Sequence, residues 1–347
     1  MNGPPLPPVR HNYPLAIQEP GFGTAFGLLM RTLPYALVRF GVSLLASLLT
    51  IVFWVIALGG GAWLGAKVAP AVGWIWAIGF LIAFGFFWRL FLRYVLYLIK
   101  CGHIAVLTEL IVKGQIANGN EGMFAYGKRI VTERFGQVNA LFAVGLVVQG
   151  VVRAFNRTLD FIGNLLPVEA LRQLIHLVQA VIRAATTYID ETIFSYGLAR
   201  EERNPWASAR DGIIYYAQNA KPILKTSVGI VLIDYLLSFV VWLIMLAPAY
   251  AISRALPKEM LLASIIAWVI ALLFAGSVRA SFVRPLFLIM VMVKFHLSIR
   301  GQPINVEWEQ RLESISEKFR EITAKVFSPP PPPVPAPVPP PPPQAVA

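Results

Sequence analysis

Asp234 sits early in an apolar run, about 228 to 250, that otherwise carries no charge. A carboxylate at membrane depth costs about 2.5–3.5 kcal/mol on insertion scales. The surrounding Leu, Ile, Val and Phe residues return about 0.3–0.6 kcal/mol each. The segment can therefore insert, provided the acid faces protein, water or a partner. Arg284, just ahead of Pro285, is the expected partner. The pair reads either as a lock between two helices or as a carboxylate that binds a cation or a proton. Tyr235, Trp54 and Trp242 add aromatic faces. These suit cation–π contact with a quaternary ammonium, worth about 0.5–2 kcal/mol each, or anchorage at the membrane interface. Asn139 and Gln149, in a shorter apolar run, suit hydrogen bonding between helices.

A second set of residues is marked by repetition. "NEGMFAYG" (120–127) and "DETIFSYG" (190–197) carry Glu121/Glu191, Phe124/Phe194, Tyr126/Tyr196 and Gly127/Gly197 in one register. Each copy precedes apolar sequence. The expected role is an elbow. Phe and Tyr would sit at the bilayer edge, Gly would allow a turn or close packing, and Glu would pair with a nearby Arg. A ligand-contacting gate is the alternative.

Other chemistry is missing from the sequence. The four histidines, His11, His103, His176 and His296, lack metal-ligand spacing. No zinc-protease, phosphate-loop or nucleophile-elbow motif occurs. The expectation is no catalytic residue, no metal and no cofactor. The net charge of +12 does not point to nucleic acid, because the basic residues edge apolar runs rather than interleave with aromatics in a soluble domain. The one cysteine, Cys101, excludes a disulfide within the chain.

The elements that must position these residues are membrane helices. The chain is 57% hydrophobic and 14% charged, whereas soluble domains carry nearer a quarter charged residues. "FGVSLLASLLTIVFWVIALGG" (40–60) has no ionisable group and can cross a core of about 30 Å. Spans are expected at about 40–60, 70–88, 228–250 and 260–278. The second continues to Lys100, with its basic side chains snorkelling to the interface. The middle run 138–152 is marginal, either a re-entrant pair or two crossings, which gives four or six spans. Residues 168–189 fit an amphipathic helix, interfacial or packed inside the protein. Residues 1–25 read as a mobile Pro/Gly-rich arm and 26–304 as the membrane domain. The arm lacks the pattern of a signal peptide, so the first span is expected to direct insertion. Of the 30 basic residues, 27 fall on one side if the two strong hairpins share an orientation. That places both termini in the cytoplasm of a multi-pass protein, expected in the plasma (inner) membrane.

The two hairpins resemble each other. "VFWVIALGG" (52–60) aligns with "VVWLIMLAP" (240–248), and "IVKGQ" (111–115) with "SIRGQ" (298–302), at offsets of 188 and 187 residues. A duplication is one explanation; shared apolar composition is the other.

The C-terminal region holds two interaction signals. Residues 305–327 place Trp308, Leu312, Ile315, Phe319 and Ile322 on one stripe with four-and-three spacing. The stripe suits docking on the chain's own membrane domain or a homo-oligomer. Residues 328–347 are Pro-rich. They suit a polyproline II rod for an aromatic-grooved partner, or a bare spacer.

"SARDGIIYYAQNAKPILKTSVGIVLIDYLLSF" (208–239) resembles the choline transporter-like family. The shared features are the Ser-Ala-Arg-Asp-like step, Asn219, a basic region and a span with an early acid, Asp234. The likeness covers the last third of the chain. This chain is about half the family's usual length and lacks its large loop between the first two spans. The pattern is also similar to bacterial multi-span proteins of unassigned function. The resemblance implies movement of choline or a similar cation. The reading is an all-α polytopic membrane protein, either a carrier of a small organic cation or a membrane scaffold that oligomerises and recruits partners.

Overall fold

The computed structural model describes residues 13–134, 187–202, 204–255 and 261–326. Among these the chain is helical, with no strand. The elements are α1 (Phe22–Arg31), α2 (Leu33–Lys67), α3 (Pro70–Lys113), α4 (Met123–Glu133), α5 (Ile189–Ala199), α6 (Pro205–Gln218), α7 (Ala220–Ala255), α8 (Leu261–Val278), a π-helical turn (Arg279–Val283), α9 (Arg284–Ser298), α10 (Val306–Ile315) and α11 (Glu317–Val326). Four stretches are long and apolar enough to span a membrane: Leu33–Lys67, Pro70–Lys113, Ala220–Pro248 and Trp268–Ser298. The expected middle span at 138–152, the stretch 168–186 and the Pro-rich run lie outside the described residues.

The membrane helices pack as two hairpins. In the first, small residues let the backbones touch. Gly61 and Gly65 of α2 face Gly73 and Ala77 of α3. A Cβ on Gly61 would lie 2.8 Å from the Gly73 carbonyl, so no side chain fits between the helices. Small residues four apart are what membrane helices use for close approach. Below this point Phe53 stacks on Phe84 at 4.2 Å and on Phe80 at 4.8 Å. Trp88 donates its indole N–H to Thr50 Oγ1 at 3.1 Å. The second hairpin, α7 and α8, joins the first through α2. Phe40 packs on Phe274 and Phe282, and Ser43 Oγ lies 3.3 Å from Ser277 Oγ.

Two long helical stretches change from exposed to buried along their length. Forty-four residues make α3 about 66 Å long, twice the thickness of the hydrocarbon core. Apolar residues on α3 are exposed as far as Tyr94, whereas every residue from Cys101 to Val112 is buried. A helix apolar all round needs cover on every side. Here the cover is protein: α3 and α9 form the centre of a helical head, wrapped by α1, α4, α5, α6, α10 and α11. Largest among its fully buried side chains are Tyr196, Tyr215, Phe287, Phe295 and Phe319.

The head corrects two expectations. Residues 13–25, within the segment expected to be a mobile arm, pack against the head. Leu15 is buried, and the Ala16 N–H donates to the Ile111 and Val112 carbonyls at 3.0 Å. The C-terminal stripe forms two helices rather than one. Ser316 breaks it in an extended conformation, and its hydroxyl caps α11 through the Phe319 N–H at 3.2 Å. The break lets both pieces follow the surface of α6. Leu312, Phe319 and Ile322 are buried, and Trp308 packs against the core.

The helix boundaries recur along the chain. Leu33 opens α2 and Ala220 opens α7, 187 residues apart. Each follows a C-cap of the same shape: Thr32 (φ −108°, ψ 17°) and Asn219 (φ −105°, ψ 19°). Gly114 (φ 76°) and Gly301 (φ 70°), again 187 apart, adopt the left-handed conformation just beyond the two long return helices. Arg31 donates to the Gly114 carbonyl at 2.7 Å, and its counterpart Gln218 donates to Gln302 Oε1 and the Pro303 carbonyl. The two ties join matching helix boundaries to neighbouring positions one or two residues apart in the repeat, which favours duplication over shared apolar composition.

Candidate functional site

Asp234 meets Arg279, not Arg284. The carboxylate takes two hydrogen bonds from the guanidinium, at 2.5 and 3.3 Å. Ser238, one turn along α7, donates to Asp234 Oδ1 at 3.4 Å. Arg279 opens the π-helical turn. Such turns carry one extra residue and recur at functional sites.

This pair belongs to a polar seam where the membrane helices enter the head. Lys100 of α3 holds Glu191 Oε1 at 2.7 Å. Lys100 therefore sits in a half-buried ion pair rather than snorkelling to water. Asp190 stands beside Glu191. Burial, then the Glu191 charge, pushes the Asp190 carboxyl up to about 8. The Glu191 carboxyl is held below its usual value by Lys100 and by a hydrogen bond from Asp190, against the opposing effect of its own burial. One lysine for two carboxyls explains the split: the second acid keeps its proton. Tyr188, Arg39 and Arg284 complete the seam.

The aromatic candidates do not assemble around Asp234. Tyr235, Trp54 and Trp242 are 65%, 48% and 44% exposed and lie on the outside of the helices. That suits anchorage and forms no cage. A small recess of about 10 Å³, room for one water, lies elsewhere, between Arg134, Gly197, Glu202 and Ser208.

The repeated phrase plays one role at both places, through Tyr and Gly. The Tyr126 hydroxyl donates to Glu109 Oε2 at 3.0 Å, and burial raises its pKa. The Tyr196 hydroxyl accepts from Arg200 at 3.2 Å. Gly127 lies against the Tyr35 hydroxyl and the Gly102 carbonyl, and Gly197 against Ser208, where a Cβ would come to 2.8 Å of Oγ. Both glycines mark helix crossings. The other two positions diverge. Glu121 pairs with Arg129 at 2.8 Å on the surface, while Glu191 is buried. Phe124 is exposed and packs on Tyr35 at 4.7 Å, while Phe194 and Tyr196 lie in the head core rather than at the bilayer edge.

Two further networks escaped sequence reasoning. His296 links Tyr13 and Ser195, each at 2.8 Å, and Ser195 lies 2.7 Å from Thr108. One arrangement of protons satisfies all four side chains. Tyr13 donates to Nδ1, Nε2–H to Ser195, Ser195 to Thr108, and Thr108 to the Ile104 carbonyl. His296, Ser195 and Thr108 are buried, and the chain ties three helices and the N-terminal arm together. Arg210 and Asp211, the polar step of the family-like stretch, form the second network. Asp211 takes Arg200 at 3.0 Å and Arg210 at 3.2 Å, and Arg210 reaches Glu309 of α10. The step therefore joins α5, α6 and α10 in the head, away from Asp234.

Neither family models, nor curated proteins, nor solved structures give a match to this chain.

Proposed function

We propose that this protein is a membrane scaffold: four helices fix the head at the bilayer, and the Pro-rich tail recruits a partner. The observation that carries this reading is the seating of α11. Phe319 and Ile322 are buried, Lys325 Nζ lies 4.3 Å over the Trp206 ring, and the Val326 carbonyl accepts from Asn204 Nδ2 at 3.4 Å. The Pro-rich sequence begins two residues later, at Ser328. A preorganised, low-entropy rod on a rigid base suits capture by an aromatic groove. The basic bias of the loops supports a cytoplasmic head at the plasma (inner) membrane. Leu312, Phe319 and Ile322 of the stripe are buried against the head, which favours docking on the chain itself over self-association through them.

The test is photo-crosslinking from Val338 in native membranes. The expected product is a crosslinked partner that disappears when excess polyproline peptide is added. Crosslinks indifferent to that peptide overturn the reading.

The π-helical turn at Arg279 favours a second reading, carriage of a small organic cation, in line with the family resemblance. Its test is uptake of labelled choline into proteoliposomes. Uptake lost in Asp234→Asn would support it; no uptake by folded wild type would remove it.

A further inference from the structure

Arg39 of α2 and Arg284 at the start of α9 come together in the seam. Their segments touch immediately next to them: Phe40 packs on Phe282 at 5.8 Å, and one turn further Ser43 lies on Ser277. The two guanidinium groups are within electrostatic reach of each other and of Tyr188.

The acids nearby are already engaged. Lys100 holds Glu191, and Arg279 holds Asp234. Asp190, pushed up to about 8 by burial and by Glu191, is mostly neutral at pH 7. Among the described residues, neither Arg39 nor Arg284 has a carboxylate within ion-pair distance. Arg39 is half-buried and Arg284 is exposed. Two like charges, one of them short of water, are costly to hold side by side without an anion.

The level of the site indicates which anion. Exposed apolar residues of α2 run from Val55 and Val52 through Leu45 to Val38 and Leu37, and Arg39 is the first charged residue met along that stretch. The phosphates of a bilayer lie at that boundary. A guanidinium matches a phosphate oxygen pair with two parallel N–H···O bonds, and basic pockets between membrane helices hold lipid headgroups in this way. We propose that Arg39 and Arg284 form a phosphate-binding site that holds the headgroup of an anionic phospholipid. The acyl chains lie along the exposed apolar face of α2. This site does not depend on the scaffold reading.

The experiment compares wild type with Arg39→Gln/Arg284→Gln and with Arg39→Lys/Arg284→Lys, all full length. Phospholipid retained through detergent purification is counted by mass spectrometry. Thermal melting is followed with short-chain phosphatidylglycerol, short-chain phosphatidylcholine or inorganic phosphate. Wild type should keep phosphatidylglycerol and be stabilised by it, and not by phosphatidylcholine. The Gln pair should lose at least tenfold of the bound lipid, with the Lys pair between. Should the Gln pair not fold, the Lys pair alone decides: it must lose severalfold. Stabilisation by inorganic phosphate equal to that by phosphatidylglycerol overturns the lipid assignment. Equal lipid retention in wild type and variants overturns the site.

Discussion

Asp234 of α7 and Arg279 of the π-helical turn close an ion pair at 2.5 Å across the second membrane hairpin. A neutral substitution on either side strands the other charge near the membrane, and the penalty for a stranded charge exceeds the value of the pair. Asp234→Asn and Arg279→Gln should each destabilise the protein, and the double variant should cost less than their sum. A coupling of about 1–3 kcal/mol in a double-mutant cycle of detergent unfolding would verify the pair. Arg284→Gln should show no such coupling to Asp234.

Gly127 and Gly197 should not tolerate alanine. At Gly127 the new methyl meets the Tyr35 hydroxyl and the Gly102 carbonyl. Overpacking of this kind costs about 1–3 kcal/mol. Tyr35→Phe should restore part of the loss, since the hydroxyl is one of the two obstacles. Gly79→Ala, with nothing within 4 Å, is the neutral control. Thermal melting of the four variants decides the matter.

Stability should fall as pH rises from about 5 to about 9. The folded Asp190 carboxyl titrates near 8, far above its unfolded value of about 4. The folded state therefore binds the extra proton throughout this window, and ionisation works against folding. Glu191 is shifted the other way, but it is ionised in both states above pH 5. Asp190→Asn should flatten the slope. A melting temperature measured at half-unit pH steps for both proteins tests this.

Phe319→Ala should free the C-terminal helices. Phe319 is fully buried against the head, and such truncations cost about 3–5 kcal/mol. Hydrogen exchange over 306–326 should speed up before the rest of the head responds. Protection unchanged in that segment would contradict the docking.

Ser195→Ala should loosen the N-terminal arm as well as the core. It leaves His296 Nε2 without its Ser195 partner, a loss of about 1–3 kcal/mol, and disturbs the bond from Nδ1 to Tyr13 at 2.8 Å. Faster proteolysis near residues 13–20 is the expected readout, with Tyr13→Phe giving the same pattern more mildly.

The sequence by itself determined the membrane class, the four long apolar helices and the 187-residue offset that the helix boundaries follow. Those features depend on local composition and spacing, which need no partner to be read. It also marked Asp234 and the two Tyr–Gly phrases, because a lone acid or a repeated polar phrase stands out against apolar neighbours. Only the tertiary structure decided what surrounds each apolar turn. Cys101–Val112 and Leu37–Val55 are both mostly apolar as sequence, yet the first is enclosed by protein throughout and the second leaves most of its large apolar side chains exposed. An apolar side chain is satisfied by either, so its type carries no information on which it meets. The choice of Arg279 over Arg284 depended on how the second hairpin packs, and the covering of Phe319 by α6 on a contact between segments about a hundred residues apart. Both follow from how distant elements are oriented in space, and that orientation is a property of the folded chain rather than of any stretch within it.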